Sequence, residues 1–165
     1  MHSFEGQAVV TAEVVGDRIP ALASLPSCDR SAGARVLVVG VDGRDAATAR
    51  GVKEILHQAE THVARHHRNQ RHIVIVVQVA HDLDDHAQRS AHRWAGGIHT
   101  ARQRARGAEV SVVLLLIDPA TPPTTVQQRI DELKSRPVGV NCAVVLTGEE
   151  IRHEPIAVVS ARDYI

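Results

Sequence analysis

The sequence predicts an α/β fold in which a mostly parallel sheet is flanked by helices. Three observations predict it. Apolar runs bounded by turn formers alternate with segments whose apolar residues recur at helical spacing. Hydrophobic residues make up 44% of the chain but aromatic ones only 2%, so the core is built from Val, Ile, Leu and Ala, as suits buried parallel strands under Ala-rich helices. A length of 165 residues gives one hydrophobic core and is short for two, so 1–165 is expected to be a single domain.

The elements follow in order. Candidate strands are Gln7 to Val15, Arg35 to Val41, His72 to Ala80, Glu109 to Ile117 and Val138 to Leu146, with Ile156 to Ser160 as either a short last strand or an extended tail. Between the first two, Gly16, Pro20, Pro26, Ser27, Ser31 and Gly33 mark a loop in which Ala21 to Leu25 can form a helical turn. From Ala46 to Asn69, Val52, Ile55, Leu56, Ala59 and Val63 recur at helical spacing, with Glu54, His57, Glu60, His62 and Arg65 mostly on the other side. That pattern is a long amphipathic helix. Ala87 to Arg106 repeats it with Ala91, Trp94, Ala95, Ile98 and Ala101. Gly96 and Gly97 cost helix propensity there, about 1 kcal/mol each, and can let a neighbouring element pack closely. A third helix, Thr124 to Ser135, follows a Pro-rich loop from Asp118 to Pro123.

Charge and cysteine content exclude several classes. Lys plus Arg equals Asp plus Glu at 19 each, so the basic excess of a nucleic-acid binder is missing. Cys28 and Cys142 stand apart, without the spacing of a disulfide framework or a zinc knuckle. The start, Met1 to Glu5, lacks a basic and an apolar leader region, and no apolar run approaches a membrane span. A cytoplasmic protein without nucleic-acid or membrane partners is expected.

A succession of local matches then resembles the short-chain dehydrogenase/reductase family. Phe4-Glu5-Gly6-Gln7-Ala8-Val9-Val10-Thr11 is similar to its opening strand and Arg35-Val36-Leu37-Val38-Val39-Gly40 to its fourth, yet only about two dozen residues separate them. Two strand–helix units of a complete member are missing. Beyond that point the order resumes with the helix Ala46 to Asn69, the strand His72 to Ala80, the Trp94 helix and Gly107 to Val113. Asp118-Pro119 and Thr121-Pro122 follow like the family's Pro-Gly and Thr-Pro loop, and Thr147-Gly148 resembles a Thr-Gly pair ahead of the final strand. The resemblance implies a truncated Rossmann-like domain.

It also implies that the working residues are gone. The family's glycine-rich cofactor loop falls on Thr11 to Arg18, where Ala12 and Arg18 replace glycines and only Gly16 remains. Arg18 would fill the space that a pyrophosphate needs at backbone N–H groups, and Glu13 and Asp17 would repel it. Of the catalytic group, Gln78 falls on the Ser; the Tyr and Lys positions hold Ala91 and Ala95 in one register, Asp85 and Arg89 in another. Asp85 and Arg89 then read as a surface ion pair one turn apart. The only Tyr, Tyr164, is near the C-terminus.

Rival chemistry rests on the remaining polar clusters. His81-Asp82-Leu83-Asp84-Asp85-His86 lies at a strand's C-terminal end, where α/β sheets build sites; a helix-capping loop explains it better than a metal site, because one short loop seldom supplies convergent ligands. His57, His62, His66, His67 and His72 offer a histidine face, with His62 and His66 at metal-ligand spacing. Ser90 near His86 or His92 lacks the loop of a hydrolase.

In the family resembled, the two long helices pack against those of a neighbouring subunit. Carried over, that makes Val52, Ile55, Leu56, Ala59, Val63, Ala91, Trp94, Ala95 and Ile98 an interface. The expectation is a catalytically silent subunit, without cofactor or metal of its own, paired as a heteromer with a full-length paralogue that carries NAD(P)H, with self-association as the other assembly. Two alternatives stand: a small cofactor-independent enzyme using the pocket around Gln78 and His81 to His86, and a self-associating flavodoxin-like binding module.

Overall fold

The computed structural model describes residues 12–23, 25, 36–46, 48–81, 83–107, 109–134 and 143–162. Five strands, β1 (Glu13–Gly16), β2 (Val36–Asp42), β3 (His72–Gln78), β4 (Ser111–Ile117) and β5 (Ala143–Thr147), form one sheet. They lie in chain order and every neighbouring pair is parallel. Helices α1 (Ala49–His66), α2 (Asp85–Arg106) and α3 (Pro123–Lys134) follow β2, β3 and β4, and α4 (Gly148–His153) and α5 (Ile156–Arg162) follow β5. A short 3-10 turn, Pro20–Leu22, follows β1. The fold is a Rossmann-like α/β sheet flanked by helices. No helix among the described residues is long and apolar enough to cross a membrane.

The strands read as unbroken apolar runs because both faces are covered. Every residue of β3 and β4 is buried. Alternate residues go to opposite faces: Ile73, Ile75 and Val77 pack with α1 and α2, while Val74 and Val76 pack with the 3-10 turn and α3 to α5. Capping fixes the helix ends. The Thr48 hydroxyl accepts from Gly51 N at the start of α1, and Asp84 Oδ1 accepts from Ala87 N at 2.7 Å at the start of α2; such caps contribute about 1 kcal/mol each. Gly107, at φ 63°, closes α2 in the left-handed region.

The chain order of the strands has a topological consequence. From β2 to β3 and from β3 to β4 the chain steps one strand in one direction with its helix on one face. From β4 to β5 it steps the same way, but α3 lies on the opposite face, as does the 3-10 turn that follows β1. The connection through α3 therefore has the opposite hand to the two central ones. Right-handed crossovers make up about 98% of such units, so at least one of these three connections carries the rare hand.

Three sequence expectations change. Of the expected first strand Gln7 to Val15, the described part pairs only from Glu13, which makes Glu13–Gly16 of the supposed cofactor loop a strand. The segment Ile156 to Ser160 is helical: Ile156 and Val159 are buried at i, i+3 spacing, a pattern that a short β-branched run conceals. Thr147-Gly148 opens α4 rather than preceding a strand. Thr147 caps α4 in a reciprocal capping box with Glu150, and a Cβ on Gly148 would collide with the Thr121 hydroxyl. The spans around Cys28, Cys142 and Tyr164 lie outside the described residues.

Candidate functional site

Open α/β sheets bind ligands beyond the carboxyl ends of their strands, where the winding reverses. Here the described chain changes face between β1 and β2. At that point Asp17 N donates to Gly40 O at 2.8 Å, and Asp42 N donates to Asp17 Oδ2 at 2.9 Å. Gly16 ends β1 at φ 89°, so close to β2 that a Cβ would strike the Gly40 carbonyl. Asp17 N to Gly40 O is the last rung of the β1–β2 ladder, so the segment aligned with the cofactor loop is sheet as far as Gly16. Arg44 closes over the end of β2 with two bonds to Asp42, Nε to Oδ1 at 2.9 Å and Nη2 to Oδ2 at 2.7 Å. The bonded Arg44 guanidinium holds the Asp42 carboxyl below its ordinary range.

Beside this point a cleft of about 220 Å³ remains, between the 3-10 turn, the end of β3 and the β4–α3 loop; Pro20, Arg44, Gln78, Asp118, Pro119 and Pro123 are among its walls. Gln78 is 7% exposed, and no described group bonds its side-chain amide. The Asp118 carboxylate folds its loop: Oδ1 accepts from Ala120 N at 3.0 Å and from the Thr121 hydroxyl at 3.2 Å. A larger hollow of about 640 Å³ runs along β1, walled by Val14 to Ile19 and the 3-10 turn, with Arg18 in its lining.

The degenerate positions fall in different places. Ala12 is buried just before β1, Gly16 ends β1, and Arg18 is exposed beyond it. Ala91 and Ala95 are buried in the core. Asp85 and Arg89 are both exposed on α2, and the surface ion pair expected of them does not form among the described residues. Of the cluster around His81, Asp84 caps α2, His81 and His86 are exposed, and Asp82 is outside the described residues. No three ligands converge on a metal position among the described residues, and no hydrogen bond joins Ser90 to His86 or His92.

The expected interface is largely core. Val52, Leu56, Ala59 and Val63 on α1, and Ala91, Ala95 and Ile98 on α2, are buried against the chain's own sheet, with Ile55 and Trp94 partly covered beside them. Each helix has one apolar stripe, and the sheet takes it. Arg50, Lys53, Glu54, His57 and Glu60 face outward on α1 next to Trp94. Gly96 and Gly97, expected to admit a close neighbour, have nothing within 4 Å.

The histidines serve the opposite end of the sheet. His66 Nδ1 lies 3.8 Å from Glu13 Oε1 and stacks on His62, with ring centroids 6.2 Å apart. Gln70 Nε2 donates to Glu13 Oε2 at 2.7 Å, and Gln70 Oε1 accepts from Arg68 N. His67 Nε2 bonds the Gln70 carbonyl at 2.9 Å, while Arg106 donates to the His67 carbonyl. His72 Nδ1 and the Ser111 hydroxyl, both buried, meet at 2.5 Å across β3 and β4. Composition hinted at this network only as a run of histidines, since Glu13 reaches it from 57 residues away. Comparison with protein-family models, with curated proteins and with solved structures finds no match.

Proposed function

We propose that this chain is a non-catalytic, short-chain dehydrogenase/reductase-like subunit that pairs with an active NAD(P)H-dependent ketoreductase paralogue and stabilises or shapes it. The observation that carries this reading is the turn after β1, where the segment aligned with the cofactor loop is drawn into the sheet as far as Gly16 and Arg18 lines the hollow beyond it. A nicotinamide dinucleotide would meet the Arg18 side chain where the resembled family has glycine, beside the Asp17 carboxylate. The topology supports the descent. In a doubly wound sheet of order 3-2-1-4-5-6, the winding runs outward in both directions from the centre, so the helix after strand 1 lies on the face opposite those after strands 4 and 5. Deleting strands 2 and 3 leaves the order 1-4-5-6 and a first connection of reversed hand. β1 to β4 lie in that order, and the 3-10 turn that leaves β1 is on the face opposite α1 and α2.

A partner would meet the outward faces of α1 and α2, since the apolar stripes are spent on the core. Gly97 is exposed with open space above it, so Gly97→Arg tests the contact without touching the interior. Co-expression with a full-length reductase is expected to give a complex that binds NADPH while this chain alone does not, and Gly97→Arg is expected to dissociate it with the fold intact. A catalytically active homodimer free of any second chain would overturn the proposal. One observation favours a second reading, a cofactor-independent protein acting on a small molecule: the open amide of Gln78 in its cleft.

A further inference from the structure

We propose that the cleft at the end of β3 is a binding site for a small, neutral, planar molecule that presents an adjacent N–H donor and C=O acceptor, as a lactam does. The site does not depend on whether the chain pairs with a reductase. Nine-tenths of Gln78 is buried, yet its amide is not among the fully buried side-chain atoms that lack a partner; the amide reaches the cleft, and no described group bonds it. The residues around it already have their partners. Arg44 holds Asp42 with both bonds, and Asp118 Oδ1 takes two donors from its own loop. What remains open toward the cleft is the Gln78 amide, one oxygen to accept and one NH₂ to donate, plus Asp118 Oδ2.

That inventory selects the ligand. A lactam edge can pair with the Gln78 amide through two antiparallel hydrogen bonds, its N–H to Oε1 and its C=O from Nε2, as a side-chain amide pairs with a base edge. An anion is disfavoured, because the Arg44 charge is matched by Asp42 while Asp118 adds a negative charge to the wall. A cation offers no acceptor to the Gln78 NH₂. The prolines 20, 119 and 123 supply flat apolar walls, and about 220 Å³ suits a single ring rather than a nucleotide.

Titration of the full chain with 2-pyridone and with uracil, followed by NMR on the Gln78 side-chain NH₂ and by calorimetry, tests the site. Saturable binding is expected, with Kd of about 0.1–1 mM for ligands this small. Gln78→Leu, which keeps volume and removes the paired edge, and Gln78→Glu, which removes the donor, should each weaken binding about tenfold or more while the circular dichroism spectrum stays unchanged. Benzoate, planar but anionic, should not bind. No saturable binding of either lactam, equal binding in the folded Gln78→Leu variant, or benzoate binding as tightly as 2-pyridone would each overturn the proposal.

Discussion

Two buried glutamines stand at the two ends of the same strand region, Gln70 just before β3 and Gln78 at its close, 5% and 7% exposed. Gln70 is satisfied on every side. It donates to Glu13, accepts from Arg68 N and takes the His67 ring on its carbonyl, so it joins β1, the end of α1 and the approach to β3. Gln78 shares its backbone with the sheet, its carbonyl accepting from Gly43 N at 2.8 Å, but no described group bonds its side-chain amide. At the amino end of the sheet polar groups are spent on one another, His67 Nδ1 apart, which is what stability requires of buried polar atoms. At the carboxyl end one group is left available, which is what recognition requires.

The largest effect should come where β1 and β2 meet at the carboxyl end. Gly16→Val forces a side chain into the Gly40 carbonyl at a φ of 89°, and a loss of about 3 kcal/mol or more is expected in urea unfolding. An unchanged midpoint would mean that the close approach of Gly16 to Gly40 contributes nothing to the fold. Next, Gln70→Ala should cost about 1–3 kcal/mol, since it strands the Glu13 carboxylate and the Arg68 N–H together.

A smaller effect separates the two ends by pH. The Gln70 carbonyl can only accept, so His67 carries its proton on Nε2, and buried Nδ1 has no described partner. Burial, and then the nearby Arg106 and Arg102, lower the His67 pKa from 6.5, against the bond to Gln70. Below pH 6.5 the unfolded chain thus binds more protons than the folded one, so this contribution to stability is complete above pH 6.5 and is lost as pH falls toward the folded value. His67→Gln should flatten the fall in stability between pH 7 and pH 5, measured by denaturant titration at each pH. A slope unchanged by the substitution would put the acid sensitivity elsewhere. The smallest effect belongs to Gln78→Leu, within about 0.5 kcal/mol of zero or stabilising, because it removes an amide that no described group bonds. A large destabilisation there would erase the contrast with Gln70.

Local pattern made much of this legible in the sequence. The apolar runs of β2 to β4 and the helical spacing of Val52, Leu56, Ala59 and Val63 mark their elements, because each depends on neighbours within one turn or one strand. Asp84 as a helix cap could be read the same way. The apolar stripes of α1 and α2 were legible as stripes but not as to what covers them, since a sheet and a second subunit demand the same residues.

By itself, then, the sequence determined the class of fold, the order of its elements from β2 to β5 and the absence of the Tyr and Lys that carbonyl reduction in the resembled family would use. Tertiary structure alone decided that α3 and the 3-10 turn lie opposite α1 and α2, that Gly16 meets Gly40, that Glu13 reaches Gln70, and that nothing described reaches the amide of Gln78. The physical reason is range: a period or a cap is set by residues a few positions apart. Whether a buried polar group finds a partner depends instead on which distant segments the sheet brings to the same end.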